Sequence, residues 1–213
     1  MSLFQKKTVE HSQNFSLTTS MSNTVIIVGL GNVGKQYDLT RHNVGFMCVD
    51  ALHDAQSEFD PWQDKKNLFC QLSSGTFGHT KVIIIKPTTF MNDSGKSVRA
   101  VLDFYKIPIT KVVAVHDELD IPFGQIRTRI GGGSAGHNGI KSIVKHTDET
   151  FGRIRIGINA ERPSEMESSD FVLAKFSKEE QVDLTKLTRE VQSILIEYIY
   201  RGEISPETRS FII

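Results

Sequence analysis

Asn32, His42, Asp117, Asn92 and Asn138 stand where the chain turns out of apolar runs or into helices, and their types suit hydrolysis of an acyl group. VIIVGLGN ends on Asn32, and TRHN brings His42 shortly after. A second apolar run, KVVAV, leads into His116 and Asp117. A carboxylate that accepts from an imidazole fixes its tautomer and stabilises the imidazolium, which lets the other ring nitrogen act as a base. No Ser or Cys stands in an elbow motif, so water is the simpler nucleophile. Taken singly, the three asparagines read as turn or cap residues. Together, in three chemistry-rich loops, they offer donors and acceptors to a ligand that carries peptide groups.

Strands must hold these residues in place. Val25 to Leu30 form a short β-branched run bounded by glycine, the pattern of a strand buried on both faces. In open α/β sheets, ligands bind in the crevice beyond the carboxyl ends of such strands. Phe46, Val49 and Leu52 predict a helix from about 44 to 57, and residues 58–66 read as a loop. NLFCQLSS and TKVIIIKP, separated by Gly75 and Gly78, predict an antiparallel pair. Thr88 or Thr89 is the expected cap of the next helix, with Val98, Val101, Leu102 and Tyr105 on its apolar face. Val112 to Val115 predict a strand that ends in His116 and Asp117. QIRTRI and RIRIGI predict two more, with Arg127 and Arg129 sharing one face, as do Arg153 and Arg155. Residues 159–170 read as a polar loop. Ser177 and Glu180 form a capping box that opens a long amphipathic helix closed by Gly202.

The alternation of strands and helices gives one α/β domain with a mixed sheet, placed at residues 23–213. Residues 1–22 are polar and rich in Ser and Thr. They contain Glu10 and lack both arginine and a secretory apolar core, so they read as a disordered extension, and Met21 is an alternative start. The 213 residues carry 25 Lys+Arg against 25 Asp+Glu, so any nucleic-acid surface must be a local patch. Arg127, Arg129, Lys141, Lys145, Arg153 and Arg155 lie close in sequence around GGGSAGHNG. A helix N-terminus there with bare N–H groups would suit phosphate. Cys48 and Cys70 read as buried free thiols, and no apolar run reaches membrane length.

Two other chemistries stand beside hydrolysis. GLGNVG is a literal G-x-G-x-x-G, but no apolar helical face follows before Phe46. Asp50 and Asp54, at the distance of a ribose-binding acid, fall inside the expected helix. A dinucleotide oxidoreductase is therefore the weaker reading. His42, His116, Asp117, Asp120 and His137 are candidate metal ligands, but without the spacing of a known metal motif.

VGLGN-VG-x2-Y-x2-TRHNVG, KPTTFMN-x-SG, VHDELD-x-P-x-G and GGGSAGHNGIKSI, in this order over residues 24 to 200, resemble the bacterial-type peptidyl-tRNA hydrolases. The resemblance implies a mixed, twisted sheet flanked by helices and a cytoplasmic, monomeric enzyme without metal or other cofactor. It implies hydrolysis of the ester between a peptide and the 3′ end of tRNA, which recycles tRNA during translation. It further implies that His42 is the general base, that Asp117 keeps it basic, and that Asn32 tells a blocked aminoacyl end from a free amine. Asn92 and Asn138 match substrate-positioning amides, Tyr37 and Phe90 tRNA-contacting positions, Met91 and His137 pocket-lining positions, and Arg129 and Arg155 phosphate-holding positions. Three departures stand out: Val33 where the family usually has proline, Ala135 where glycine is common, and a longer GINAERPS stretch. An inactive RNA-binding module on the same fold is the alternative; the intact His42, Asp117 and asparagines speak against it.

Overall fold

The computed structural model describes residues 23–160 and 165–212. The expected N-terminal extension and the part of GINAERPS from residue 161 onward lie outside the described residues.

One mixed sheet carries the chain. Its strands are β1 (Asn23–Gly29), β2 (Gln63–Lys65), β3 (Cys70–Phe77), β4 (Thr80–Pro87), β5 (Val112–Pro122), β6 (Gln125–Ile130), β7 (Gly152–Asn159) and β8 (Thr208–Ser210). They lie in the order β2-β3-β4-β1-β5-β7-β6-β8. The four central strands are parallel, and the margins are antiparallel. The chain runs from β1 outward to β4 on one side and then to β5 on the other. The carboxyl end of β1 is therefore a switch point, where a crevice opens.

Helices α1 (Val44–Ala55) and α5 (Lys178–Arg201) cover one face, and α2 (Ser94–Tyr105) and α3 (Asn138–His146) the other. The alternation of β1 feeds both layers. Val25 and Ile27 join Val49, Leu52, Leu187 and Val191, while Ile26 and Val28 join Val98, Val101, Ile140 and Ile143. Cys48 and Cys70 are buried and unpaired. The Ser177–Glu180 capping box and Gly202 bound α5 as expected.

The structure revises several local expectations. The strand at 112 runs on to Pro122, so His116 and Asp117 sit within β5 rather than at its end. Residues 63–65 form a short edge strand inside the expected loop. Gly75 lies within β3, where a Cβ would come 2.5 Å from the Glu58 carbonyl, so Gly78 alone marks the β3–β4 turn. Neither Thr88 nor Thr89 caps α2; a single 3-10 turn, Met91–Asp93, leads into it from Phe90. The loop at 159–170 gives way to a short helix, α4 (Ser168–Leu173).

The glycines of GLGNVG serve packing. A Cβ on Gly29 would lie 2.6 Å from the Gly45 carbonyl oxygen, and one on Gly45 would lie 2.3 Å from the Val115 oxygen. Leu30 N–H donates to Val115 and Leu30 C=O accepts from Phe46 N–H, so the start of α1 is spent on the chain itself. This takes away the free helix N-terminus that a dinucleotide reading needs. We expect Gly45→Ala to cost about 2–3 kcal/mol, because backbone rather than a pliable side chain stands in the way. The measurement is a fall in the urea midpoint at unchanged slope; an unchanged midpoint would mean that α1 withdraws freely.

Candidate active site

Asp117 is the hub of the cleft. It is buried in mid-strand on β5, in register with Ile156 of β7 and two residues beyond Val115, where the pairing with β1 ends. His42 Nδ1 lies 2.9 and 3.0 Å from its two oxygens, and His137 Nε2 lies 2.9 Å from Oδ1. The tautomer of His137 follows from its other nitrogen. Nδ1 accepts from the N–H groups of Gly139 and Ile140 at the start of α3, so the ring proton sits on Nε2 and is donated to Asp117. His42 donates through Nδ1 in turn, which leaves its Nε2 lone pair for the cleft. Burial alone would raise the Asp117 carboxyl, but the His137 and His42 imidazoles and their hydrogen bonds outweigh it and hold the group well below the usual carboxylate range.

The same geometry revises two expectations. The first N–H groups of α3 are occupied by His137, so the helix start is not a bare phosphate cradle. His116 gives no ring nitrogen to the Asp117 carboxylate: its Nδ1 donates to the Asp117 backbone carbonyl, and its ring meets His137 edge-on at 4.7 Å. The donor atoms of His42, Asp117 and His137 lie within 4.8 Å of one another, the composition of a metal triad; Asp120 is not part of it.

Asn32 is fixed from both sides. Asn43 accepts from its backbone N–H at 2.8 Å and donates to its C=O at 2.9 Å. Its own side-chain oxygen accepts from Met91 N–H at 3.0 Å. That bond assigns the amide orientation and points the NH2 group away from Met91. Asn43 was not among the expected site residues; its place beside His42 was the signal.

Arg41 holds the wall. The polar TRHN segment is a buried 3-10 turn. Arg41 donates to the Lys175 carbonyl and to the Glu180 carboxylate, with its guanidinium 4.3 Å from the centre of the Phe171 ring. Its backbone N–H donates to Ala174, and Leu39 accepts from Phe176. The turn that carries His42 is thereby fastened to α4 and to the cap of α5.

Two chambers meet at His42. One, of about 550 Å³, is lined by His42, Asp117, Glu118, Asp120, His137 and Asn138. The other, of about 390 Å³, holds Asn32, Tyr37, Phe90, Met91 and Asn92 with His42 and Asn138. Val172 and Ser169 of α4 border both. The amides, Tyr37, Phe90 and Met91 therefore gather as the sequence suggests, and Phe90 is exposed.

Arg129 and Arg155 do not line either chamber. β6 and β7 pair Arg127 with Arg155 and Arg129 with Arg153, so all four arginines share one face of the sheet. Arg153 and Arg129 both donate to the Gly133 carbonyl, at 2.7 and 2.5 Å. Burial, then the neighbouring Arg129, bring Arg153 down to about 10. Ala135, in the same loop, has φ 44°, a left-handed conformation that glycine adopts without strain.

The profile of the family described as "Peptidyl-tRNA hydrolase" matches residues 26–211. A peptidyl-tRNA hydrolase from Listeria monocytogenes is 48% identical over 161 residues, which cover 75% of this chain and 83% of the relative. One from Sorangium cellulosum is 39% identical over 187 residues, 84% of this chain and 79% of the relative. The crystal structure of peptidyl-tRNA hydrolase from Acinetobacter baumannii superposes with a TM-score of 0.70 at 35% identity, covering 87% of this chain and 97% of that one.

The depressed Asp117 carboxyl sets a pH dependence. Its contribution to stability is fully present above the unfolded-state value near 3.9 and is lost as pH falls towards the folded value. We expect Asp117→Asn to lose about 2–3 kcal/mol at pH 7 and to lose less than the parent on acidification, so the two urea midpoints converge towards pH 3. Parallel curves would mean that the carboxylate is not held in its charged form.

Proposed function

Because the chain belongs to the peptidyl-tRNA hydrolase family, we propose that His42 activates water to cleave the ester between a peptide and the 3′-terminal ribose of tRNA. The observation that carries this reading is the His42–Asp117–His137 chain, which leaves one unblocked imidazole nitrogen facing a cleft lined with carboxamides. His42 Nε2 takes a proton from water as the water oxygen bonds to the carbonyl carbon. Asn92, with backbone N–H groups, donates to the oxygen that gains charge. The carbon–oxygen bond to the ribose then breaks, and the proton on His42 passes to the departing ribose oxygen. The products are a peptide carboxylic acid, which ionises, and a tRNA with a free 3′ hydroxyl.

Asn32 supplies the check on the substrate. Its NH2 group has no protein partner among the described residues and can donate to a carbonyl. A blocked amino group carries such a carbonyl and a free one does not. Asn138 and Met91 complete the positioning, and Tyr37 and Phe90 meet the terminal nucleotides. Arg129 and Arg155, on the neighbouring strands β6 and β7, take phosphates outside the cleft. The body acts as a cytoplasmic monomer; among the described residues no helix is long and apolar enough to cross a membrane.

A metal-assisted variant rests on the close approach of His42, Asp117 and His137 donors. Assaying N-acetylaminoacyl-tRNA with and without a chelator separates the two, since the general-base route keeps its rate when divalent ions are removed.

We expect His42→Ala to lower kcat by about 10²–10⁴-fold while tRNA affinity holds, as general-base help of this kind is worth that much. Near-normal turnover of the variant would displace His42 from its role. We expect Arg129→Gln with Arg155→Gln to weaken tRNA binding and to flatten the plot of log affinity against log salt by about 1–2. A slope unchanged from the parent would put the phosphates elsewhere.

A further inference from the structure

Among the four arginines of β6 and β7, Arg153 stands apart because solvent does not reach it: the residue is 1% exposed. Its Nε and Nη2 have no hydrogen-bond partner among the described residues. A buried cation with unused donors, beside Arg129 and Arg155, is a cost to folding. Two contacts set against that cost are the Phe151 ring, 4.6 Å away at its centre, and the bond from Nη1 to the Gly133 carbonyl at 2.7 Å.

That carbonyl belongs to the loop 131–136, which leads straight into His137. The loop has little packing of its own. Gly131, Gly132, Ala135 and Gly136 have positive φ, and a Cβ on Gly133 or Gly136 would meet nothing within 4 Å. Hydrogen bonds hold it instead. Gly131 N–H donates to Phe151 at the near end, and His137 N–H donates to Ser134 at the far end. Between them the Gly133 carbonyl accepts from both Arg129 and Arg153. The two grips differ in kind. Arg129 is half-buried and, on the hydrolase reading, has phosphates to hold, whereas Arg153 is shut away from solvent. Its bond to Gly133 therefore persists when Arg129 turns to another acceptor.

We propose that Arg153 is a positioning residue for the reaction: by holding the Gly133 carbonyl it sets the glycine loop, and so the place from which His137 reaches Asp117. The inference rests on the hydrolase reading for its kinetic consequence. His137 Nε2 meets the same Asp117 oxygen as His42 Nδ1, so a loop that drifts disturbs the carboxylate that orients the base.

Two variants test this. Arg153→Met keeps most of the stem and removes the donors. Arg153→Lys keeps the charge but ends one bond short of Gly133. Kinetics on N-acetylaminoacyl-tRNA and the salt dependence of tRNA affinity are read beside the NMR resonance of the His137 Nε2 proton in the free protein, which the bond to Asp117 moves downfield. We expect kcat to fall about tenfold in Arg153→Met and about threefold in Arg153→Lys, with KM and tRNA affinity within about twofold of the parent, since small misplacements near a reacting centre act on kcat. The His137 proton should shift in the same order. Arg153→Lys, which spares the fold, decides if Arg153→Met does not fold: a parental kcat and an unmoved His137 proton in the lysine variant overturn the proposal. Weaker tRNA binding with a flatter salt plot and an unchanged kcat makes Arg153 a phosphate ligand and overturns it as well. A parent that leaves N-acetylaminoacyl-tRNA intact overturns the hydrolase reading, and the His137 resonance then judges the grip on the loop alone.

Discussion

One carboxylate shared by two imidazoles organises this molecule. A buried ion is costly unless it is paired and hydrogen-bonded, and Asp117 gains both from His42 and His137. It sits in the middle of a strand, in register with Ile156 of β7, so its backbone has little freedom to follow a moving partner. The partners must come to it. His137 does so while capping α3, which ties the start of that helix to the same oxygen that orients His42. The two functions of His137 are inseparable, because the cap takes the lone pair of Nδ1 and so forces the proton onto Nε2.

The other imidazole is held by burying its neighbour. Arg41 is a cation in the core, paired with Glu180 and stacked between Phe171 and Phe176. A buried pair of this kind adds little net stability, since desolvation offsets much of the attraction. Its effect is geometric. Glu180 also accepts from the Ser177 N–H in the capping box of α5, so the turn that carries His42 and the first turn of α5 converge on one carboxylate, while Arg41 meets α4 through the Phe171 ring. A helix as short as α4 has no stability of its own, and it keeps its place at the mouth of the cleft through these contacts.

What the sequence made legible was whatever local pattern controls. The β-branched run of β1, the apolar stripe and capping box of α5, and the meeting of His42 with Asp117 could all be read from residue type and spacing. What it hid depended on distant contacts. α4 has six residues, too few for periodicity, and its sequence is polar enough to pass for a loop. β5 outlasts its apolar run because β7 continues to pair with it through His116, Asp117 and Glu118. The TRHN turn reads as a solvated polar loop until Lys175 and Glu180 are folded over it. The double hydrogen bond of Asn43 to Asn32 joins two residues that look like separate turns. The G-x-G-x-x-G match misleads for a related reason: Gly29 is needed where β1 meets Gly45, a contact the fingerprint does not encode.

Charge is distributed so that the substrate can be sorted before chemistry begins. With no net charge overall, attraction for a polyanion must come from a local patch, and the arginines of β6 and β7 are gathered on one face. The chamber beside His42 carries Asp117, Glu118 and Asp120 and repels phosphate. On the hydrolase reading these opposite signs work together. Phosphates are held at the arginines, outside the cleft, and what enters is the neutral part of the molecule: the terminal ribose, the ester and the first peptide group. The Asp117 charge then acts on His42, where it supports the imidazolium as the proton arrives, and an ester with no phosphate nearby is the bond that comes within reach of the activated water.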